Sequence, residues 1–268
     1  MYCYSIEEPV LVVDIGNTNI VCAVYKSGEP IWTARFQTQR ERTADEYFSL
    51  LSSLSRDFDF GTIHFVALGS VVPELSRIWK HLISRHLAAD VYDINGLSDL
   101  GLSYKSTSPQ SVGADLVANA YAAWQKYGQN AIVIDLGTAT TIQIVTATGV
   151  FEGAIISPGI KTGAANLFSK AAQLYELELT PPPALLGKNT HDAVLSGVVY
   201  GHALMLEGFI QKLKLQYFDL APMHTILCGG LSSLLEPLMP SVNIVDKGLT
   251  LDGFYLALNK LVNKENIV

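Results

Sequence analysis

The sequence predicts an α/β protein made of two halves, each a mixed sheet with helices. Three observations carry this expectation. The phrase Asp14-Ile15-Gly16-Asn17-Thr18-Asn19 recurs in the second half as Asp135-Leu136-Gly137-Thr138-Ala139. Both copies end an apolar run, Val10–Val13 in one case and Ala131–Ile134 in the other, so both aspartates lie at strand tips. Both are followed by a second β-rich run, Ile20–Tyr25 and Thr141–Val145. A strand–turn–strand setting excludes the two commonest phosphate loops, which run from strand into helix. Neither GxGxxG nor GxxxxGK[ST] occurs in the chain.

The turn chemistry suits an anion. Glycine permits a tight turn and close approach of the backbone. Asn and Thr side chains, with the N–H groups of the turn, offer donors to phosphate oxygens. Such turns also arise in hairpins for conformational reasons alone. The duplication in matching context favours a nucleotide gripped between two halves. A third glycine element, Cys228-Gly229-Gly230-Leu231, ends another apolar strand and precedes a helix, where its glycine pair allows close approach to an adenine or ribose.

The elements follow in order. Strands at about 10–16, 20–26 and 31–38 form a meander, with Lys26-Ser27-Gly28-Glu29 as its second turn. Thr43 caps a helix reaching about Ser55, with Glu46 completing a capping box and Tyr47, Leu50, Leu51 and Leu54 forming its apolar stripe. A buried strand spans Thr62–Ser70. Pro73 starts a helix to about Leu87, and a strand follows near Asp90–Ile94. The polar stretch Gly101–Val112 leads to a helix from about Gly113 to Lys126. The second half repeats the plan: paired strands over 131–156, helices near 160–176 and 190–216, strand 224–229, a helix, strand 242–246 and a final helix. Pro181-Pro182-Pro183 is expected to make an exposed connection, since it cannot continue the preceding helix. The halves are expected at 1–128 and 129–268.

Composition narrows the class. The chain has 268 residues, 49% apolar and 16% charged, which is globular rather than disordered. A net charge of −7 without a basic cluster argues against a nucleic-acid surface and leaves ATP open, since a nucleotide needs only a local anion site. Three scattered cysteines, Cys3, Cys22 and Cys228, suit a reducing cytoplasm. The N-terminus lacks a basic n-region, and no apolar stretch is expected to reach membrane-spanning length, so no membrane partner is expected. The six histidines show no ligand spacing.

Taken as a set, Asp14–Val21, Gly113-Ala114-Asp115, Asp135–Thr141, Gly153–Gly159, Gly187–Thr190 with Ser196-Gly197, Cys228–Leu231 and Leu249–Gly253 resemble the type III pantothenate kinases in order and spacing. The resemblance runs from Val10 to about Leu258. It implies the acetate kinase/sugar kinase/Hsp70/actin superfamily, with duplicated ribonuclease-H-like (actin-like ATPase) halves. It also implies ATP-dependent phosphorylation of pantothenate to 4′-phosphopantothenate by a homodimer.

Site roles follow. Asp14, Ile15, Gly16, Asn17, Thr18, Asn19, Ile20 and Val21, with Thr138, are expected at the ATP. Two carboxylates beside a triphosphate face a repulsion on the order of 4 kcal/mol per pair of unit charges at roughly 4 Å and an effective dielectric near 20. Cations must therefore intervene, and Mg2+ suits a site of few carboxylates plus phosphate oxygens. The resemblance adds a monovalent cation, K+ or NH4+, at Asp135, although the residues alone do not distinguish it from magnesium there. Gly113, Ala114, Asp115, Leu116 and Thr190 are implied at the pantothenate, with Asp115 as the base and Thr190 contributed by a neighbouring subunit. An Asp in a first helical turn also stabilises a helix by itself.

Two positions depart from the family. Leu116 stands where Arg is usual, and Ser106 where many members have Tyr, with Tyr104 two residues away. Leucine donates no hydrogen bond to a carboxylate. A second reading therefore keeps the fold and ATP but takes another small hydroxyl substrate, and a third is a low-activity regulatory homologue.

Overall fold

The computed structural model describes residues 6–55, 58–105, 108–170 and 178–265. The chain divides into two compact units, one of Met1–Leu102, Ser106–Gln125 and Thr250–Val268, the other of Ser103–Lys105 and Lys126–Leu249.

In the first unit, β1 (Val10–Ile15), β2 (Asn19–Lys26) and β3 (Glu29–Gln37) form the expected antiparallel meander. The β2–β3 turn places Ser27 and Gly28 at φ 51° and 92°, a left-handed pair that matches the twist of a two-residue hairpin. After α1 (Ala44–Leu54), β4 (Phe65–Ser70) joins β1 in parallel; after α2 (Pro73–His86), β5 (Asp90–Asp93) joins β4. The strand order is β3-β2-β1-β4-β5. The predicted capping box is present: Glu46 N–H donates to Thr43 Oγ1, and Thr43 N–H to Glu46 Oε2 at 2.7 Å.

Alternation along the strands decides what each face buries. Val13, Ile15, Ile20 and Cys22 pack with Tyr47 and Leu51 of α1 and Leu75 and Trp79 of α2. Also in this unit are α3 (Ala114–Tyr127) as far as Gln125 and the last helix, α8 (Leu249–Glu265), from Thr250. Gly253 lies so close to the Ala118 carbonyl that no Cβ fits between them, and Thr250 Oγ1 donates to Asn119 Oδ1 at 2.8 Å. Tyr25 stacks on Tyr255 with centroids 4.6 Å apart and donates to Asp252 at 2.6 Å. These contacts assign α8 from Thr250 onward to the first unit, whereas the sequence reading put all of 129–268 in the second.

In the second unit, β7 (Ala131–Leu136), β8 (Ala139–Val145) and β9 (Val150–Pro158) repeat the meander. Strands β10 (His224–Cys228) and β11 (Ile244–Val245) add in parallel. The order β9-β8-β7-β10-β11 repeats β3-β2-β1-β4-β5 strand for strand, and β6 (Ser103–Tyr104) adds outside β9. Helix α4 covers Ile160–Lys170; the remainder of the helix expected to 176 lies outside the described residues.

From Thr190 to Gln216 the chain is helical throughout: α5 (Thr190–Leu195), a π-helical turn at Ser196–Tyr200, and α6 (Gly201–Gln216). Its buried face is Leu195, Val199, Ala203, Leu206 and Ile210, while Val194 and Val198 are half-buried. This run also corrects the expectation that no apolar stretch approaches membrane-spanning length. By length and mean hydropathy, 1.5, it is sufficient. Val199, Ala203, Leu206 and Ile210 nevertheless pack in the core beside Ile134, Ile142 and Leu227. The short α7 (Ser232–Leu235) follows the glycine pair after β10.

Candidate active site

The first Asp turn is closed by Gly16 N–H donating to the Asn19 carbonyl at 2.9 Å. Asp14 pairs with Val21 on β2 and with Gly69 on β4, which places it at the tip of the central strand and half-buried. Asn17 and Thr18 are exposed at the apex. The turn is braced from the end of β3: Thr38 N–H donates to the Thr18 carbonyl at 2.9 Å, and Thr38 Oγ1 to the Gly16 carbonyl at 2.7 Å. Cys22, a buried thiol, is pushed well up in pKa by burial, with the Asp14 charge adding to the effect.

Asp115 belongs to the same unit. Val71, just after β4, donates its N–H to the Ile15 carbonyl at 3.0 Å, and its Cγ1 lies 3.6 Å from where a Cβ on Gly113 would stand. That same Cβ would meet Asp115 Oδ1 at 2.5 Å, so a side chain at 113 would move the carboxylate from its place over the helix start. Leu116 N–H donates to Asp115 Oδ1 at 2.8 Å. Burial raises the Asp115 carboxyl above its usual value; hydrogen bonds from the Leu116 and Asp115 N–H groups offset part of the rise. A carboxylate so placed is a proton acceptor whose basicity exceeds that of a solvated aspartate.

Leu116 is only 7% exposed. The departure from Arg is therefore a packed apolar residue at the helix start, with no group to offer a substrate carboxylate. Ser106 lies outside the described residues. Tyr104 sits on β6 in the second unit with its ring 5.7 Å from that of Phe151. Its hydroxyl is buried without a hydrogen-bond partner among the described residues, and burial pushes its pKa up to about 12.

The second Asp turn is one residue shorter. Gly137 N–H donates to the Ala139 carbonyl at 3.1 Å. The Thr138 carbonyl accepts twice, from Gly159 N–H at 3.0 Å and from Thr162 Oγ1 at 2.7 Å. Asp135 pairs with Thr141 on β8 and Cys228 on β10. Gly229, at φ 88°, lies directly over the Asp135 carboxylate. The predicted third glycine element thus packs on the second aspartate.

Thr190 is exposed and is the first residue of α5, while the cap is Asn189, whose Oδ1 accepts from Asp192 N–H at 2.8 Å. Beside it lies a cleft of about 860 Å³ lined by Leu167, Gly187, Lys188, Thr190, Val194 and Val198, among others. His202 donates to or accepts from Thr140 at 2.9 Å, and burial lowers its pKa.

Thus Asp14 to Val21 and Gly113 to Leu116 belong to the first unit, and Asp135, Thr138 and Thr190 to the second. Thr38, Gly159 and Thr162 hold the turns. Gly159 stood within a motif already singled out, whereas no pattern in the sequence marked either threonine.

The family model for type III pantothenate kinase matches residues 10–212, three quarters of the chain and both Asp turns. The chain belongs to the type III pantothenate kinase family. It is 37% identical over 254 residues to the type III pantothenate kinase of Thermomicrobium roseum, covering 94% of this chain and 97% of that one. It is 38% identical over 252 residues to that of Roseiflexus castenholzii, covering 92% and 97%. Solved structures add the fold. A protein from Campylobacter jejuni, described as a Baf family transcriptional activator, superposes with a TM-score of 0.61 at 20% identity, covering 95% of this chain and 100% of that one. An activator of 2-hydroxyisocaproyl-CoA dehydratase from Clostridium difficile, with bound ADPNP, gives 0.57 at 11%, covering 97% of each. A ROK family glucokinase from Streptomyces griseus, in complex with glucose and AMPPNP, gives 0.55 at 14%, covering 94% and 98%. With its repeated strand order, this type III pantothenate kinase family member has the duplicated ribonuclease-H-like fold of the actin-like ATPases.

Proposed function

We propose that this chain transfers the γ-phosphoryl group of ATP to the hydroxyl of pantothenate, giving 4′-phosphopantothenate at the first step of coenzyme A biosynthesis. Family membership supports the reaction. The observation that carries the residue assignment is Asp115, a carboxylate of raised pKa held by a backbone N–H at the start of α3, in the same unit as the Asp14 turn. Asp115 accepts the proton of the attacking hydroxyl. A carboxylate is a weak base for an alcohol, but phosphoryl transfer is largely dissociative, and orientation of the hydroxyl matters more than basicity. The turns at Asp14–Val21 and at Thr138 hold the phosphates with N–H and hydroxyl donors.

Among the described residues no three acidic, histidine or cysteine side chains gather to hold an ion. Single carboxylates at two strand tips suit a divalent ion that arrives with its nucleotide, because Mg2+ binds through one or two carboxylates and phosphate oxygens. Such an ion neutralises phosphate charge. Asp135 is our assignment for a monovalent cation, K+ or NH4+.

A homodimer is part of the same reading, with Thr190 reaching the pantothenate of a second subunit. It is supported by an exposed stripe of small and apolar residues, Ala193, Gly197, Gly201, Leu204 and Gly208, along the helical run from Thr190. The buried thiols Cys22 and Cys228 suit a reducing cytoplasm.

The test is ADP release with and without pantothenate, in potassium and in sodium-only buffer. Pantothenate-dependent release that requires magnesium and potassium is expected. Equal rates in sodium would remove the monovalent-cation assignment. Release that depends on another hydroxyl compound would favour the second reading, to which the buried Leu116 points.

A further inference from the structure

We propose that Thr38 and Thr162 are positioning residues that aim the N–H groups of the two Asp turns by capturing the carbonyl oxygens on the same peptide planes. This rests on the reading that both turns hold the nucleotide phosphates.

A tight turn presents carbonyl oxygens as readily as N–H groups. An anion is attracted by the second and repelled by the first, so a phosphate turn must keep its carbonyls directed elsewhere. In a trans peptide the C=O of one residue and the N–H of the next point in opposite directions within one plane. Fixing a carbonyl therefore fixes the direction of the following N–H.

The first turn meets this requirement through one residue. Thr38 Oγ1 holds the Gly16 carbonyl at 2.7 Å, so the Asn17 N–H is directed away from Thr38. The Thr38 N–H holds the Thr18 carbonyl at 2.9 Å. The second turn meets it with different residues. The Thr138 carbonyl accepts from both Gly159 N–H and Thr162 Oγ1, at 3.0 and 2.7 Å, so both its lone pairs are occupied and the Ala139 N–H is directed away from them. The close approach of Gly159 to this turn requires glycine, because a Cβ there would lie 2.5 Å from the Thr138 oxygen.

The repetition is informative because the sequences differ. The backbone donor follows β3 directly in one unit and β9 directly in the other, at Thr38 and Gly159. The hydroxyl comes from that same residue in the first unit and from the first turn of α4 in the second. Both side chains donate to turn carbonyls from outside the strand ladder, where no pairing in the sheet requires them.

The experiment uses the full chain with Thr38→Val, Thr38→Ser, Thr162→Val and Thr162→Ser. Valine keeps the branched shape and the backbone N–H but removes the hydroxyl donor. Both valine variants are expected to raise the KM for ATP and the calorimetric Kd for magnesium ADP by roughly 3–10-fold, the effect of one lost hydrogen bond. The KM for pantothenate should stay within about two-fold, and serine should restore the nucleotide constants. Valine variants with unchanged nucleotide constants, or serine variants as impaired as valine, would overturn the proposal. Hydrogen exchange on the unmodified chain separates this from the underlying reading. Magnesium ADP should slow exchange in peptides containing Asn17 and Ala139. If it protects neither, the turns do not hold the nucleotide and both statements fall; if it protects them while the valine variants bind normally, only the positioning role falls.

Discussion

Gly229 lies over the carboxylate of Asp135 with no room for a side chain: a Cβ at 229 would stand 2.5 Å from Asp135 Oδ1 and 2.6 Å from the Leu136 nitrogen. The contact exists because β10 runs parallel to β7 with Cys228 opposite Asp135, so the chain leaving β10 must cross the strand tip. Its φ of 88° is a second reason for glycine. Gly229→Ala should therefore strike the site and the backbone together. The left-handed conformation alone should cost about 1–3 kcal/mol of stability. Displacement of Asp135 should raise the potassium concentration needed for half-maximal activity. Denaturant melts and a potassium titration check both parts, and an unaltered titration would detach Asp135 from the cation.

Asp115→Asn separates catalysis from stability. Asn keeps an oxygen to accept from Leu116 N–H but cannot take a proton, so kcat should fall by about 10²–10⁴-fold with little change in ATP affinity. The pKa of Asp115 is raised in the folded chain by burial. A raised pKa means that folding favours the protonated form, so this group's contribution is fully present below pH 3.8, its unfolded value, and is lost as pH rises through the folded value. At neutral pH the ionised side chain is a cost, and the Asn variant should melt no lower than the parent. The kcat of the parent should decline on the acid side at a pH above that of a solvated aspartate. A variant that retains turnover would leave Asp115 as a helix-start residue only.

Much of this was legible in the sequence because it depends on local chemistry. The two strand-turn-strand phrases gave the paired meanders, Thr43 and Glu46 gave the start of α1, and Pro73 gave the start of α2. What escaped depends on contacts between distant residues. Helix α8 joins the first unit because Gly253 meets Ala118 and Tyr255 meets Tyr25, pairs that no local pattern announces. Thr38 and Thr162 look like ordinary polar residues at element ends until the carbonyls of Gly16 and Thr138 are seen to bind them. Leu116 lacks a hydrogen-bond donor by residue type, but its burial is not legible from one helical turn. Thr190 opens α5 but does not cap it, because the Asn189 side chain accepts from the first-turn N–H instead.

His202 should shape the acid limb of stability. Burial lowers its pKa from 6.5, and it contacts Thr140 at 2.9 Å at the start of β8. A depressed histidine pKa means that folding favours the neutral ring, so its contribution is present above pH 6.5 and is lost as pH falls through the folded value. His202→Gln retains a hydrogen-bonding amide without a titrating ring. Its melting temperature should fall less steeply than the parent's below pH 6.5. Parallel curves for the two proteins would show that the ring's protonation is not linked to folding.

Subunit mixing tests whether Thr190 serves a neighbouring active site. Because Asn189 caps α5 and Thr190 is exposed, Thr190→Ala should leave the helix and the melting temperature nearly unchanged, within about 0.5 kcal/mol for an exposed substitution. Loss of activity in that variant would then report on substrate contact rather than on folding. An Asp115→Asn chain supplies an intact Thr190, and a Thr190→Ala chain supplies an intact Asp115. If sites are shared, each mixed dimer regenerates one complete pocket, and activity after subunit exchange should exceed that of either parent. The exposed small residues Gly197 and Gly201 lie along the proposed contact, so Gly201→Glu should shift the light-scattering mass toward the monomer and abolish the recovery. A mass that is monomeric from the outset, or no recovery once exchange is verified, would confine Thr190 to its own chain.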